Sequence, residues 1–375
     1  MLYHLLAPLG SSLIFFNLFS YISFRAAGAT VTALFIAFVA GPALIRRLRA
    51  HKVGQVVRAN FLTTHEGKRG TPTMGGLIIL LATIVPTLLW APLTNRFVVI
   101  AMLATLWMGV IGFLDDYLKV VQGRSRGLIA RYKLAGQIAF GVALALVLMR
   151  WPVVAPETIP ATGTTIPFFK FVVVTFAPWL YVIFVTGVLT GFSNGVNLTD
   201  GLDGLATGLS AIAAGAFAFF AYLLGRVDAT SYLNLYYLPG AGELTIFCGA
   251  LMGATIGFLW FNAHPARVFM GDTGSLALGG AFGTVAILLK AEFLLVIIGG
   301  VFVAEAGSVV LQTGVYKWFR RTRGREYADA HRVFRMAPLH HHFEKLGWAE
   351  TTVVTRFYII GLICALVALS TLKLR

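Results

Sequence analysis

The chain is short of charge, and of negative charge above all. Only 12% of its 375 residues are charged, and the acids number 15 against 30 Lys and Arg. A soluble domain has about 25% charged residues, so a soluble globular fold is excluded. Two cysteines, Cys248 and Cys364, both in apolar runs, rule out a disulfide framework. No basic leader with a small-residue cleavage site opens the chain, so its start does not read as a signal peptide. Internal repeats, low-complexity tracts and the Walker A order are missing as well.

What remains is apolar: 58% of residues are hydrophobic and the mean hydropathy is +0.82. Stretches of about 17 to 25 apolar residues with few or no charges suit a bilayer crossing. Ten occur, near 26–45, 74–95, 97–114, 134–149, 171–190, 205–225, 244–261, 273–289, 293–316 and 357–372. A lipid-exposed backbone must satisfy its own hydrogen bonds, and nothing here alternates like a barrel strand. The expected architecture is therefore all-α, a polytopic integral membrane protein with ten transmembrane helices in one domain, 1–375. Met1 to Phe24, broken by Pro8, Gly10 and Asn17, reads as an interfacial helix.

Ten spans sort the connections into two sets. Loops near 46–73, 115–133, 191–204, 262–272 and 317–356 hold 22 Lys and Arg, and the opposite set with both termini holds 8. The richer set is expected to be cytoplasmic and both termini periplasmic. The formal charge of +15 follows from this bias rather than from a nucleic-acid footprint, and no nucleic-acid partner is expected.

The polar motifs then fall on one face. Asp115 and Asp116 lie in Gly112-Phe-Leu-Asp-Asp-Tyr-Leu-Lys119, at the end of the third span. Asn194-Gly-Val-Asn-Leu-Thr-Asp-Gly-Leu-Asp-Gly204 precedes the sixth. Asn262-Ala-His-Pro-Ala-Arg-Val-Phe-Met-Gly-Asp-Thr-Gly-Ser275 joins the seventh and eighth, and Pro338-Leu-His-His-His-Phe-Glu344 occupies the last cytoplasmic loop. Aspartates beside Gly, Asn and Thr at helix mouths suit a site for Mg²⁺ and phosphate, because Mg²⁺ takes hard oxygen ligands and completes its shell with phosphate and water. Asp200 or Asp203 alone could be a helix cap. The Asp115–Asp116 pair ends an apolar helix, where negative charge opposes the helix dipole, so a cation is expected beside it: Lys119, Lys133 or a metal.

Three consecutive imidazoles, His340, His341 and His342, cannot easily converge on one zinc and fit a phosphate site better. The Gly67–Gly76 turn, with Lys68 and Thr71, is loop punctuation or a phosphate contact. Glu305 falls inside the ninth span, with Gln312 two turns on, either packed between helices or lining the cavity.

On these motifs the chain resembles the phospho-N-acetylmuramoyl-pentapeptide transferases, within the polyprenyl-phosphate sugar-1-phosphate transferase superfamily. The Asp-Asp and Gly-Asp-Thr-Gly elements are shared across the superfamily, while His340-His-His-Phe-Glu344 and Thr71-Pro-Thr-Met-Gly-Gly76 narrow the likeness to the muramoyl-pentapeptide branch. The resemblance implies a ten-helix, commonly homodimeric protein of the bacterial inner membrane with a cytoplasmic cleft. It implies Mg²⁺-dependent transfer of phospho-MurNAc-pentapeptide from UDP to undecaprenyl phosphate, giving lipid I and UMP. It further implies Asp272 and Asp116 at the metal, with Asp115, Lys133 and His340 to His342 acting beside it. Donor contacts would come from Lys68, Thr71, Lys119, Asn197, Asp200, Asp203, Asn262, Phe269 and Gln312. Two other readings share features of this pattern: a UDP-HexNAc transferase with a different sugar, and a membrane transporter, which should place polar sites at midplane.

Overall fold

The structure is a computed structural model that describes residues 1–11, 13–50, 70–123, 127–155, 157–169 and 171–374. In chain order its helices are α1 (Leu2–Leu6), α2 (Ile22–Ala50), α3 (Gly76–Trp90), α4 (Arg96–Val120), α5 (Ala130–Arg150), α6 (Pro178–Thr199) and α7 (Leu205–Leu224). There follow α8 (Val227–Leu233), α9 (Leu244–Asn262), α10 (Gly271–Leu288), α11 (Glu292–Ile298), α12 (Gly300–Thr322), α13 (Arg325–Ala330), α14 (Leu339–Lys345) and α15 (Glu350–Leu374). A single antiparallel hairpin, β1 (Gly163–Thr165) with β2 (Val173–Thr175), is the sheet content of the described residues.

Each of the ten apolar stretches contains helix, and the fold is all-α as expected. Among the described residues, seven helices are long and apolar enough to cross a bilayer on their own. An eighth crossing forms if α11 and α12, which meet at 89°, are one broken span. Gly299 and Gly300 stand at that break, where the absence of side chains lets the chain turn. The protein is thus a multi-pass membrane protein.

Several boundaries differ from the sequence reading. The stretch expected from 171 starts as β2, and the helix begins at Pro178, whose fixed φ and missing N–H suit a first turn. That helix then continues to Thr199, so most of the supposed loop 191–204 is helical. Asp115 and Asp116 likewise belong to the last turns of α4 rather than to a loop. The start of the chain is not one interfacial helix: α1 gives way to two short 3₁₀ segments, with Phe19 stacked on Trp90 at 5.7 Å.

α10 is the axis of the bundle. Every residue from Thr273 to Leu288 is buried, and α3, α4, α6, α7 and α11 pack around it. This explains its many Gly, Ala, Ser and Thr residues. Between helices in lipid, attraction comes from close van der Waals packing, which small residues permit. The same logic operates between α2 and α9, where Gly249, Gly253 and Gly257 meet the Ala26–Ala37 face so closely that a Cβ on Gly253 would strike the Thr30 carbonyl. Large side chains such as Trp107, Val310 and Ile363 instead face outward. Because α10 is central, its N-terminus brings Asp272 into the middle of one end of the bundle.

Candidate active site

Asp272 reaches its place through three tight backbone contacts. The Thr71–Gly76 turn pairs with the strand-like approach to α10: Phe269 N donates to Pro72 O, and Gly75 N and Gly76 N donate to Phe269 O and Met270 O, each at 2.8 Å. Gly76 lies directly on the backbone of Gly274, and Gly112 of α4 lies on the carbonyl of Asp272. The turn therefore clamps the segment carrying Phe269 and Asp272. Thr71 is half-buried beside this clamp, while Lys68 lies outside the described residues.

Around Asp272 the other expected groups converge. Lys133 Nζ is 2.6 Å from Asp272 Oδ2 and 3.7 Å from Asp115 Oδ2. Lys119 Nζ is 2.7 Å from Asp115 Oδ2 and 3.3 Å from Asp272 Oδ2. Asp115 Oδ1 also accepts from Leu128 N at 2.7 Å, tying down the α4–α5 connection. Asp116 faces the start of α10: its Oδ1 accepts from Asp272 N at 3.1 Å, and its Oδ2 from Thr273 N at 2.9 Å and Thr273 Oγ1 at 2.7 Å. A carboxylate there satisfies N–H groups that have no partner within the helix and favours the positive end of its dipole.

Asn197, at the end of α6, joins the same group. With its amide nitrogen toward Ser275 Oγ (2.8 Å) and Asp272 Oδ1 (3.2 Å), its oxygen accepts from Lys133 Nζ at 3.1 Å, so this orientation satisfies the network. Burial pushes the Asp200 carboxyl up to about 8, aided by the negative charges of Asp272, Asp116 and Asp203. Asp115 and Asp272 thus bind the two lysines, with Asp116 and Asp200 beside them, and together they form a cluster of hard oxygen donors of the kind that suits a divalent cation.

Further out, Asp203 Oδ2 is 3.1 Å from His264 Nδ1 and accepts from Ala266 N at 3.1 Å, while Asp203 N donates to Glu350 Oε1 at 2.8 Å. Asn262 accepts from Thr207 Oγ1 at 2.6 Å and donates to Val268 O at 3.0 Å, so its amide holds the 263–270 loop in shape. Gln312 makes a matching pair with the Phe334 backbone, 2.9 Å to N and 3.3 Å to O. Phe269 is half-buried at the edge of the site.

The three histidines point three ways. His340 Nδ1 meets Glu305 Oε2 at 3.1 Å, His341 Nδ1 meets Glu344 Oε2 at 2.7 Å, and His342 Nδ1 accepts from Arg335 N at 3.1 Å. Glu305 is therefore packed against His340 instead of standing open. His264, Thr273, Ser275 and Glu350 were not singled out in the sequence reading. Thr273 and Ser275 were legible as part of Gly-Asp-Thr-Gly-Ser, whereas nothing in the sequence links Glu350, at the start of an apolar helix, to Asp203.

The sequence that builds this site is similar to known proteins. Residues 98–290 match the family model described as Glycosyl transferase family 4, and residues 68–80 match Phospho-N-acetylmuramoyl-pentapeptide-transferase signature 1. A phospho-N-acetylmuramoyl-pentapeptide-transferase of Gemmatimonas aurantiaca is 61% identical over 383 residues, covering 100% of both chains. Proteins of the same name from Koribacter versatilis (50% over 376 residues, 96% of this chain and 95% of that one) and a Geobacter species (50% over 375 residues, 100% of both) are similar too. With the aspartates, lysines and clamping turn gathered at one end of the bundle, and likeness running the full length, the chain belongs to the phospho-N-acetylmuramoyl-pentapeptide-transferase family.

Proposed function

We propose that the protein transfers phospho-MurNAc-pentapeptide from UDP-MurNAc-pentapeptide to undecaprenyl phosphate, forming lipid I and UMP, the first membrane step of peptidoglycan synthesis. The observation that carries this reading is the convergence of Asp115, Asp116 and Asp272 with Lys119 and Lys133 at the ends of α4, α5 and α10. A water-soluble donor and a lipid-tethered phosphate can meet only where helices end at the bilayer surface. The same reading has ten crossings, the site toward the cytoplasm, both termini periplasmic, and two copies of the chain in a homodimer. The excess of Lys and Arg in the loops at the site end supports that orientation.

In the reaction, an oxygen of the lipid phosphate bonds to the sugar-linked phosphorus as that phosphorus releases the oxygen of UMP. A phosphate monoester has a second pKa of about 6, so the acceptor arrives mostly dianionic and no proton need be removed. Asp115, held between Lys119 and Lys133, keeps these cations aligned toward the phosphates. The lysines stabilise charge spread over the phosphoryl oxygens, and fixed positioning supplies much of the remaining rate. Mg²⁺, when bound, would neutralise phosphate charge, with Asp272 and Asp116 holding it. Asn197, Asp200, Asp203 and Phe269 border the donor side, with Lys68 and Thr71 in the signature segment, while Asn262 and Gln312 shape its walls.

The test is purified protein with UDP-MurNAc-pentapeptide, undecaprenyl phosphate and Mg²⁺, scored for UMP release. Turnover with UDP-GlcNAc in place of the muramoyl donor would assign the chain to a different sugar instead.

A further inference from the structure

Glu305 is wholly buried on α12. A carboxylate is costly inside an apolar span unless paired, so its partner is informative. Both oxygens are directed to one residue: Oε1 accepts from His340 N at 3.1 Å, and Oε2 lies 3.1 Å from His340 Nδ1. A carboxylate on Nδ1 fixes that nitrogen as the N–H and orients the ring, which sends Nε2 the opposite way. His340 is itself wholly buried, and its Nε2 has no hydrogen-bond partner among the described residues. That nitrogen rests on Gly201, so closely that a Cβ at 201 would overlap the ring. Gly201 lies between Asp200 and Leu202 in the connection from α6 to α7, beside Asn197 and Asp203.

We propose that Glu305 is a positioning residue which, through His340, braces the 197–204 segment and so sets affinity for the nucleotide part of the donor. The inference rests on the donor side assigned above. The requirement for a carboxylate follows from the donor count. His340 presents two N–H groups to Glu305, and a carboxylate accepts both. Glutamine accepts one and opposes the other with its own NH₂. The ring must then rotate or change tautomer, and its far edge moves against Gly201. Replacement of Gly201 by alanine disturbs the same contact from the loop side.

The experiment titrates UDP into the purified full-length protein in Mg²⁺ buffer by calorimetry, for wild type, Glu305→Gln, Gly201→Ala and the double variant. Kd for UDP should rise about tenfold in each single variant. The double variant should be no weaker than the weaker single one, because residues acting through one contact are not additive. In the transfer assay KM for the UDP donor should rise with Kd, and KM for undecaprenyl phosphate should stay within about twofold of wild type. Wild-type UDP affinity in Glu305→Gln, independent effects in the double variant, or a loss confined to the lipid acceptor would each overturn the inference. If Glu305→Gln does not fold, Gly201→Ala decides alone, and unchanged UDP affinity there overturns it. A wild type that binds UDP but releases no UMP refutes the transfer reading and leaves the titration to judge Glu305.

Discussion

The carboxylate of Asp116 on α4 closes the first turn of α10, with Oδ1 3.1 Å from Asp272 N and Oδ2 2.9 Å from Thr273 N. One acidic side chain thereby fixes the backbone of another, and the two neighbours Asp115 and Asp116 acquire different tasks. Asp115 faces the lysines, whereas Asp116 faces a helix end.

Removing the two acids should therefore have different signatures. Asp116→Ala leaves two N–H groups and a hydroxyl without their partner, a loss of about 1–3 kcal/mol for a buried group. It should lower the thermal midpoint and abolish transfer together. Asp272→Asn should lose nearly all transfer, and because Asp115 still lies beside both lysines its midpoint, read by thermal unfolding in detergent, should fall by less than that of Asp116→Ala. Equal midpoints for the two variants would refute this division of labour.

The lysines should also differ. The Lys133 side chain is 14% exposed and that of Lys119 is 39% exposed. Lys133→Ala strips the more enclosed cation from Asp272 and Asp115 and should destabilise the protein by more than Lys119→Ala, whose solvent-facing pair is worth about 1 kcal/mol or less. Denaturation of the two variants side by side checks the order.

The packing around Asp272 gives a third prediction. Gly112→Ala would drive a Cβ into the Asp272 carbonyl, while Gly187 and Gly307 face open space. Overpacking costs about 1–3 kcal/mol, so Gly112→Ala should lose both stability and most of its transfer rate. Gly307→Ala should be neutral or stabilising by up to about 1 kcal/mol, since alanine favours helix.

The Asp200 carboxyl predicts a pH dependence. Its pKa is pushed up to about 8 by burial and by the neighbouring aspartates, against about 3.9 in an unfolded chain. The folded state thus holds a proton that the unfolded state has released, and stability falls as pH rises from about 4 to about 8. Without divalent cation, wild type should lose stability relative to Asp200→Asn across that window. Mg²⁺, which favours the ionised carboxylate, should raise the wild-type midpoint more at pH 8 than at pH 6. A difference between the proteins that is flat in pH would contradict it.

Direct attack by the lipid phosphate predicts that labelled UMP does not exchange into the UDP-sugar when lipid phosphate is rigorously absent. Exchange under those conditions would require a phosphoryl-enzyme on one of the aspartates.

The sequence by itself determined the all-helical membrane architecture, because ten apolar stretches with few or no charges in so weakly charged a chain admit little else, and it located the aspartates by their polar surroundings at helix mouths. Periodicity carries no information about which distant segments touch. The Asp116 cap on α10, the clamp of the Thr71–Gly76 turn on Phe269 and Met270, the tie from Glu350 to Asp203 and the enclosure of Glu305 by His340 were decided only by tertiary packing. Each joins residues far apart in the chain through hydrogen bonds whose partners have no fixed spacing. The small residues of α10 show the same division. Their order in the chain reads as a weakly apolar span, and only the closeness of the surrounding helices reveals that this span is the axis that carries Asp272.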